Sequence, residues 1–220
     1  MKYCLILGGP IYEKSIKFIE LMCKNVPTII TTWDDEPLEK ILLLKKISID
    51  IVLNKKPLYN GNQNINCANF SLVNGFKRAK DLGYLNVLRF RTDLYSPEIK
   101  LLCKIFSKTN LNKLSSLCWF NHFVEYSPYG YIMDHVMYGP VDLMIKYRNV
   151  EQKIGDNTHT EAFLQNNYFM KTNVTYEDVK EDFCFVLHEL SIKKIKIFFT
   201  NKYNDDDLIS LYKNLNTIAK

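Results

Sequence analysis

The sequence alternates short apolar runs with helical patterns in its first half, and this alternation restricts the fold more than any other feature. Four runs have the length and the apolar or β-branched composition of buried strands. They cover residues 3–7, 28–32, 47–53 and 85–91. Between them, residues 13–25, 37–46 and 67–82 carry apolar side chains at helical spacing. Strands that alternate with helices across short loops predict an α/β fold with a mostly parallel central sheet flanked by helices.

Prolines and glycines mark the ends of these elements. Pro27 follows the first predicted helix, Pro37 opens the second, and Gly83 ends the third. The third helix is predicted to turn one apolar face inward. That face consists of Phe70, Val73, Phe76 and Ala79.

The second half is less regular. Its apolar spacing predicts six further elements, four helices and two strands. The helices cover residues 97–107, 140–147, 160–169 and 205–219, and the strands cover 114–119 and 195–199. The sequence contains no linker, no internal repeat and no shift in composition, so we predict a single domain over residues 1–220.

The composition excludes several classes of protein. With 220 residues, 47% hydrophobic and 24% charged, the chain can bury a sizeable core, which excludes disordered, collagen-like and small disulfide-stabilised chains. No apolar run approaches the roughly 18 residues that span a bilayer, and residues 3–7 are too few for a signal-peptide core. Six scattered cysteines without a CxxC pair are expected to be reduced thiols. We therefore predict a cytoplasmic protein.

The net charge of +5 suits an anionic small molecule, a nucleic acid or an acidic membrane surface. The lysines are spread along the chain instead of clustered, which favours a solvated basic surface and argues against nucleic acid. Peripheral contact with the inner face of a membrane is compatible with this charge. The sequence does not indicate an oligomeric state.

Ligands in an open α/β sheet bind outside the carboxyl ends of the strands, so we considered the residues that follow predicted strands. Gly8, Gly9 and Pro10 end the first strand, and glycines let a backbone approach a ligand closely. The same three residues also suit an ordinary turn, because they lack the Gly-Lys-Ser ending of a phosphate loop and the spaced glycines of a dinucleotide fingerprint. The polar segment 33–35 ends the second strand.

The fourth predicted strand ends on Arg91, Thr92 and Asp93. A carboxylate at this position can hold a divalent cation that neutralises a diphosphate. It can equally cap the helix that follows. Arg89 and Arg91 alternate onto one face, where they suit phosphate binding or a structural ion pair.

Asp142 and Glu161 are the candidate general bases of the second half. Asp142 and Asp134 flank a predicted turn at Gly139 and Pro140, and Asp142 also suits the first turn of a helix. Glu161 opens the next helix, as a base or as a first-turn acid. The histidines show no metal-ligand spacing, and no serine or cysteine lies in a nucleophile elbow.

Several segments, taken in order, resemble the WavE-type lipopolysaccharide-synthesis family of glycosyltransferases. They are 29–33, 64–66 with Ser71, 75–79, 88–93, 134–142 and 161–164. The Arg-x-Arg-Thr-Asp element at 89–93 is the most specific of them. Cys67 and Ala68 stand where the family pattern has Arg-Gln. The resemblance implies a GT-A-like nucleotide-diphospho-sugar transferase fold, in which residues 1–95 bind the nucleotide-sugar and residues 96–220 form the acceptor side.

The residues and the resemblance together predict one mechanism. Gly8, Gly9 and Pro10 would lie near the nucleotide, and Thr32, Trp33 and Asp34 near its base or ribose, with Arg89 and Arg91 as further donor-binding residues. The resemblance implies that Asp93 holds Mn²⁺ or Mg²⁺ against the diphosphate. Asp142 or Glu161 would deprotonate the hydroxyl of a glycan, lipid-linked or protein-glycan acceptor. The chain would then be a metal-assisted glycosyltransferase.

Two alternatives fit the same residues. A sugar-phosphate nucleotidyltransferase also places glycines after its first strand, although residues 8–14 hold only a fragment of that longer basic signature. A non-catalytic member of the same fold would bind a glycan or a protein partner. Nucleotide binding separates either enzyme from the non-catalytic protein.

Overall fold

The structure, a computed structural model, describes residues 2–109, 112–120, 131–151, 160–172 and 183–200. Eleven strands lie within these ranges. They are β1 (Tyr3–Gly8), β2 (Thr28–Trp33), β3 (Asp50–Asn54), β4 (Asn86–Arg91), β5 (Leu94–Tyr95), β6 (Leu114–Ser116), β7 (Trp119–Phe120), β8 (Tyr131–Ile132), β9 (Met137–Pro140), β10 (Phe183–Phe185) and β11 (Phe198–Phe199). Seven of them form one sheet in the order β10-β6-β9-β4-β1-β2-β3, and β5 pairs with β11 and β7 with β8.

The central sheet is mostly parallel, as the sequence predicts. Strand β1 pairs in parallel with both β2 and β4, and β2 pairs in parallel with β3. Strand β10 is parallel to β6, whereas β9 runs antiparallel to its neighbours β4 and β6. All four strands predicted in the first half are therefore present. The third begins at Asp50 instead of residue 47, because the preceding helix continues to Ile47.

Helices flank the sheet on both faces. They are α1 (Ile16–Cys23), α2 (Leu38–Ile47), α3 (Ile65–Asp81), α4 (Ile99–Phe106), α5 (Val141–Arg148), α6 (Thr160–Thr172) and α7 (Leu187–Ile192), with short 3-10 turns at Glu13–Ser15 and Asn62–Asn64. Of these, α7 was not predicted, and the helix predicted at 205–219 lies outside the described residues. None of the described helices is long and apolar enough to cross a bilayer.

Two apolar cores lie against the two faces of the sheet. Alternate residues of β1 divide between them, since Leu5 and Leu7 belong to one core and Cys4 and Ile6 to the other. The first core receives side chains from α1, α2, α4 and α7, and the second from α3, α5 and α6. Burial on both faces explains why β1 reads as one continuous apolar run.

The largest correction concerns residues 139 and 140, which were predicted to form a turn. They are the last two residues of β9, inside the sheet between β4 and β6. A glycine suits this position because a Cβ at residue 139 would lie 2.9 Å from Cδ2 of Leu114. Pro140 is tolerated because it ends the strand.

Other predictions are wrong in detail. The strand predicted at 114–119 is two short strands, β6 and β7, and the one predicted at 195–199 is only β11. Strand β10 was missed. Phe70 was predicted to be buried, but it is 45% exposed, whereas the other three residues of that helical face are buried. All six cysteines are free, as expected.

Candidate active site

A cleft of about 920 Å³ lies along the edge of the sheet where β1, β2 and β4 end. Strand β9 is antiparallel to β4, so the residues just before β9 reach the same edge. The cleft therefore collects three groups of residues. One group follows β1 and β2, and a second comes from β4, from the segment before β9, and from α5 and α6. The third comes from the segment between β3 and α3 and from the first turns of α3.

The turn after β1 forms one wall of the cleft and is held from two sides. The N–H of Gly9 donates a hydrogen bond to the carbonyl oxygen of Thr31 at 3.1 Å. The hydroxyl of Thr92 donates to the carbonyl oxygen of Pro10 at 2.7 Å. Gly9 has a φ of 134°, and a Cβ there would lie 2.9 Å from Oγ1 of Thr92. Only glycine suits this position without strain.

Aromatic and charged side chains continue this wall beyond β2. Trp33 is almost fully buried, whereas Tyr12 is 40% exposed at the mouth of the cleft. Glu36 supports the turn by accepting hydrogen bonds from the N–H of Ile11 at 2.8 Å and from the hydroxyl of Thr32 at 3.2 Å. This end of the cleft thus offers backbone and two aromatic rings.

Asp93 forms a bidentate ion pair with Arg91 at the end of β4. Nε and Nη2 of Arg91 donate to its two carboxylate oxygens at 2.8 and 2.7 Å. Asp93 is buried, and its carbonyl oxygen accepts a hydrogen bond from the N–H of Thr200 at 2.8 Å. The residue before α4 is Glu98, so Asp93 does not cap that helix. A cation at Asp93 would have to compete with Arg91 for both oxygens.

A buried ionic group forms the floor of the cleft. Asp134 lies between two arginines: Nη2 of Arg148 donates to one carboxylate oxygen, and Nη1 of Arg89 lies 3.3 Å from the other. Arg148 also donates to Oδ1 of Asn69 at 3.1 Å. Burial favours the neutral form of Asp134, but Arg148 and Arg89 outweigh it and lower the pKa. Burial lowers the pKa of Arg89 to about 9, because Asp134 compensates it only in part.

His135 and Glu161 lie beside this group. Nε2 of His135 is 3.9 Å from Oε1 of Glu161. Burial lowers the pKa of His135, so its imidazole is neutral at pH 7 and can accept a proton. Ligand atoms of Asp134, His135 and Glu161 lie within 4.8 Å of one another, which is the composition and spacing of a metal site. Both oxygens of Asp134 face guanidinium groups, however, and these disfavour a cation at that carboxylate.

The structure brings together most of the predicted site residues. Those that line the cleft are Gly8, Gly9, Pro10, Trp33, Arg89, Arg91, Asp93 and Glu161. Thr32 is buried behind the wall, where it bonds Glu36, and Asp34 is exposed outside the cleft. Asp142 lies on the surface of α5, where it pairs with Lys80 at 2.6 Å.

Sequence reasoning missed Tyr12, His135 and Arg148. The composition carries a signal that could have found Arg148. Only four of the 29 lysines and arginines are arginine, and three of these four line the cleft. In so lysine-rich a chain, an arginine marks a position where the planar guanidinium is needed.

Comparison with known proteins places the fold. No protein-family model matches the sequence, and neither does any curated protein. A solved structure of 4-diphosphocytidyl-2C-methyl-D-erythritol synthase from Anaerococcus prevotii is similar, with a TM-score of 0.51 and 13% identity over 98% of this chain and 96% of that one. The fold is thus that of the nucleotide-diphospho-sugar transferase-like proteins.

Two other solved structures are similar at lower scores. One is a mannose-1-phosphate geranyltransferase from Thermus thermophilus, with a TM-score of 0.44 and 12% identity over 82% of this chain and 68% of that one. The other is a second 4-diphosphocytidyl-2C-methyl-D-erythritol synthase, with a TM-score of 0.48 and 8% identity over 98% of this chain and the whole of that one.

Proposed function

We propose that this protein is a transferase whose substrate is a nucleotide-activated sugar, bound across the cleft. The observation that carries the proposal is the cleft itself. It joins a glycine turn at the end of β1 to two arginines of β4, to a neutral histidine just before β9 and to Arg148 at the end of α5. Its volume falls within the range of small-molecule sites.

The nucleotide belongs at the β1 and β2 end of the cleft. The Gly9 turn lets backbone approach a phosphate, and Tyr12, which is 40% exposed at the mouth of the cleft, offers a ring on which a base can stack. The sugar then lies toward Arg89 and His135. In this arrangement residues 1–95 form the nucleotide side, and residues 96–220 form the acceptor side.

The reaction that the fold neighbours favour is nucleotidyl transfer. The name of the neighbour with the TM-score of 0.51 describes a product in which a nucleotide diphosphate is joined to a polyol. By analogy, a phosphate oxygen of a sugar phosphate would attack the α-phosphorus of a nucleoside triphosphate and displace pyrophosphate. His135 and Glu161 lie where the sugar phosphate would bind.

Glycosyl transfer is the second candidate, and the residues of the turn after β1 favour it. Lys14 is the only cation in residues 8–15 and does not line the cleft, and Lys56, which does line it, is paired with Asp35, whereas a triphosphate needs unpaired positive charge there. The resemblance to the WavE-type family points the same way. Glu161 or His135 would take the proton from the acceptor hydroxyl of a glycan, lipid-linked or protein-glycan acceptor.

A divalent metal is a further part of the proposal. Mn²⁺ or Mg²⁺ would neutralise the charge of the phosphates during transfer. The side chains with suitable types and separations are Asp134, His135 and Glu161, and Asp93 is the residue that the family resemblance implies. Each aspartate already pairs with arginine, so these two carboxylates do not fit a metal in this arrangement, and a metal would have to bind chiefly through the phosphates.

The test measures nucleotide binding and the product of each reaction. Calorimetry with nucleoside triphosphates and with UDP-, GDP-, CMP- and dTDP-sugars, each with and without Mn²⁺, identifies the nucleotide. Release of pyrophosphate from a triphosphate and a sugar 1-phosphate supports nucleotidyl transfer. Release of a nucleotide from a nucleotide-sugar supports glycosyl transfer.

Tyr12→Ala should weaken nucleotide binding about tenfold or more, because a stacked base is lost. Tyr59→Ala is the matched control, since Tyr59 is 51% exposed and does not line the cleft. If no nucleotide binds the wild-type protein, the proposal is overturned and the non-catalytic alternative, binding of a glycan or a partner, takes its place.

A further inference from the structure

The floor of the cleft contains cationic groups whose donors are not used. Nε of Arg89 and Nε of Arg148 have no hydrogen-bond partner among the described residues, and Nη1 of Arg89 has only its ion-pair contact with Asp134 at 3.3 Å, although both side chains are at least nine-tenths buried. Arg89 and Arg148 both line the cleft. Buried donors without partners are costly, so such donors indicate a ligand that accepts hydrogen bonds.

The two guanidinium groups favour an anion beside them. Arg91 is neutralised by Asp93, whereas Arg89 and Arg148 share the single carboxylate of Asp134. The next carboxylate is that of Glu161, which lies 3.9 Å from the neutral His135, so the floor is balanced as a whole and its positive charge is local to the two guanidinium groups. A cation would be repelled by the two guanidinium groups at Asp134. An anion would be attracted by them and would receive charge-assisted hydrogen bonds.

This position is distinct from the nucleotide end. Arg91 pairs in register with Gly8, but Arg89 pairs with Ile6, two residues earlier. Arg89 therefore lies about 7 Å deeper along the sheet than the turn that begins at Gly8. The guanidinium of Arg89 lies against Asp134, so the floor can hold an anionic group apart from a phosphate at the turn.

We infer that Arg89 and Arg148, held by Asp134, form a second anion site that binds a phosphate or carboxylate of the sugar substrate. This inference rests on the proposed transferase function and names its substrate class, a charged sugar. A sugar phosphate would bring the phosphate for nucleotidyl transfer. An acidic sugar would bring a carboxylate.

The four arginines make a direct test possible in the wild-type protein. Labelling with ¹⁵N-arginine gives four Nε–H signals, and the variants Arg78→Lys and Arg91→Lys each remove one. The two remaining signals belong to Arg89 and Arg148. Titration with inorganic phosphate, compared with chloride at equal ionic strength, should shift these two signals to saturation. The Arg78 signal should not move, because its Nε is bonded to Asp50 outside the cleft.

Titration with three sugars distinguishes a phosphate from a carboxylate as the group that binds. Glucose 1-phosphate tests a phosphate, glucuronate tests a carboxylate, and glucose tests the uncharged ring. Shifts with the phosphate or the uronate alone support the inference and name the source. Equal shifts with glucose, or no shift with either anion, overturn it.

A variant gives an independent measurement. Arg148→Lys should weaken phosphate binding about tenfold or more, because a directed hydrogen bond to the anion is lost. Arg78→Lys should leave it unchanged. If nucleotides bind but the Arg89 and Arg148 signals stay fixed, the second anion site fails and the proposed function stands. If the signals move but no nucleotide binds, the proposed function fails instead.

Discussion

Among single residues, Thr92 links the two halves of the cleft. Its side chain is buried, its hydroxyl donates to Pro10, and its N–H donates to the carbonyl oxygen of Gly8 at 3.3 Å. These bonds tie the end of β4 to the turn after β1. Together with the pairing of Gly8 and Arg91, they set the position of Gly9 relative to Arg91.

Replacing Thr92 by valine should lower both stability and nucleotide affinity. The change keeps the shape of the side chain but removes one hydrogen bond, which should cost about 1 kcal/mol of unfolding free energy. Thr28→Val is the matched control, because the buried hydroxyl of Thr28 also donates to a carbonyl at 2.7 Å, at the opposite end of the sheet. Urea unfolding and calorimetry should show similar destabilisation of both variants but weaker binding only in Thr92→Val. Equal affinities would contradict a role for Thr92 in the site.

Asp142→Asn should leave nucleotide binding and turnover unchanged. Asp142 lies on the surface and contacts Lys80, and an exposed pair of this kind contributes at most about 1 kcal/mol. Glu161→Gln, which changes a residue that lines the cleft, is the comparison and should reduce turnover. A large loss of activity in Asp142→Asn would contradict this and favour Asp142 over Glu161 as the base.

The residues of the site differ in how well sequence could predict them. Gly9 and Asp93 follow strands with clear patterns, so the topology of the sheet brings them to one edge. Arg148 ends a helix, where a cation normally needs no explanation beyond the helix dipole. Its burial against Asp134 depends on how α5 packs over β9, which no local pattern contains.

Among the elements, α3 packs closely against the sheet at a glycine. Gly75 lies in the middle of this 17-residue helix, and a Cβ there would lie 3.1 Å from Cγ2 of both Ile6 and Thr31. Thr31 cannot readily move aside, because its hydroxyl donates to the carbonyl oxygen of Ser71 and accepts a bond from Asn54. Close packing of α3 against β1 and β2 positions the wall of the cleft.

Gly75→Ala should therefore destabilise the protein by about 1–2 kcal/mol, despite the better helix propensity of alanine. Adding Thr31→Ser should recover part of that loss, because serine keeps the hydroxyl but removes Cγ2. A double-mutant cycle in urea measures the coupling between the two sites. Strictly additive effects would show that crowding by Thr31 is not the cause.

The sequence does not predict the short strands correctly. The first four strands are five or six residues long and lie between clear turn signals. Strand β9 has only four residues, ends in Gly139 and Pro140, and is held in place by pairing with two distant strands. A sequence pattern of that length favours a turn. Missing β9 also hid the reason why Asp134 and His135 reach the cleft.

For the whole molecule, buried thiols on both faces of the sheet link stability to pH. Burial raises the pKa of Cys4, Cys103 and Cys118 to about 12, from an ordinary value of 9.0. The folded state therefore disfavours the thiolate more than the unfolded state does. The contribution of these protonated thiols to the free energy of unfolding is complete below about pH 9 and is lost as the pH rises toward 12.

The free energy of unfolding should fall between pH 8 and pH 10 by about 1 kcal/mol for each of these thiols. Urea unfolding at the two pH values, with a reductant present, measures this fall. In Cys118→Ala the free energy of unfolding should fall by about 1 kcal/mol less, because one thiol is missing. An identical fall in Cys118→Ala would mean that other groups, such as tyrosines, cause the pH dependence.

The buried ionic floor also sets an order for assembly during synthesis. Asn69 and its partner Arg148 are separated by 79 positions in the chain. Arg89 is likewise synthesised before Asp134, the carboxylate with which it pairs. When the ribosome has released the chain only through α4, the glycine turn already has its partners in β2 and β4. The guanidinium of Arg89, still without its carboxylate, opposes burial at that stage. The end of the cleft at the glycine turn can therefore form before the charged floor, which is complete only after α5 has packed on the sheet.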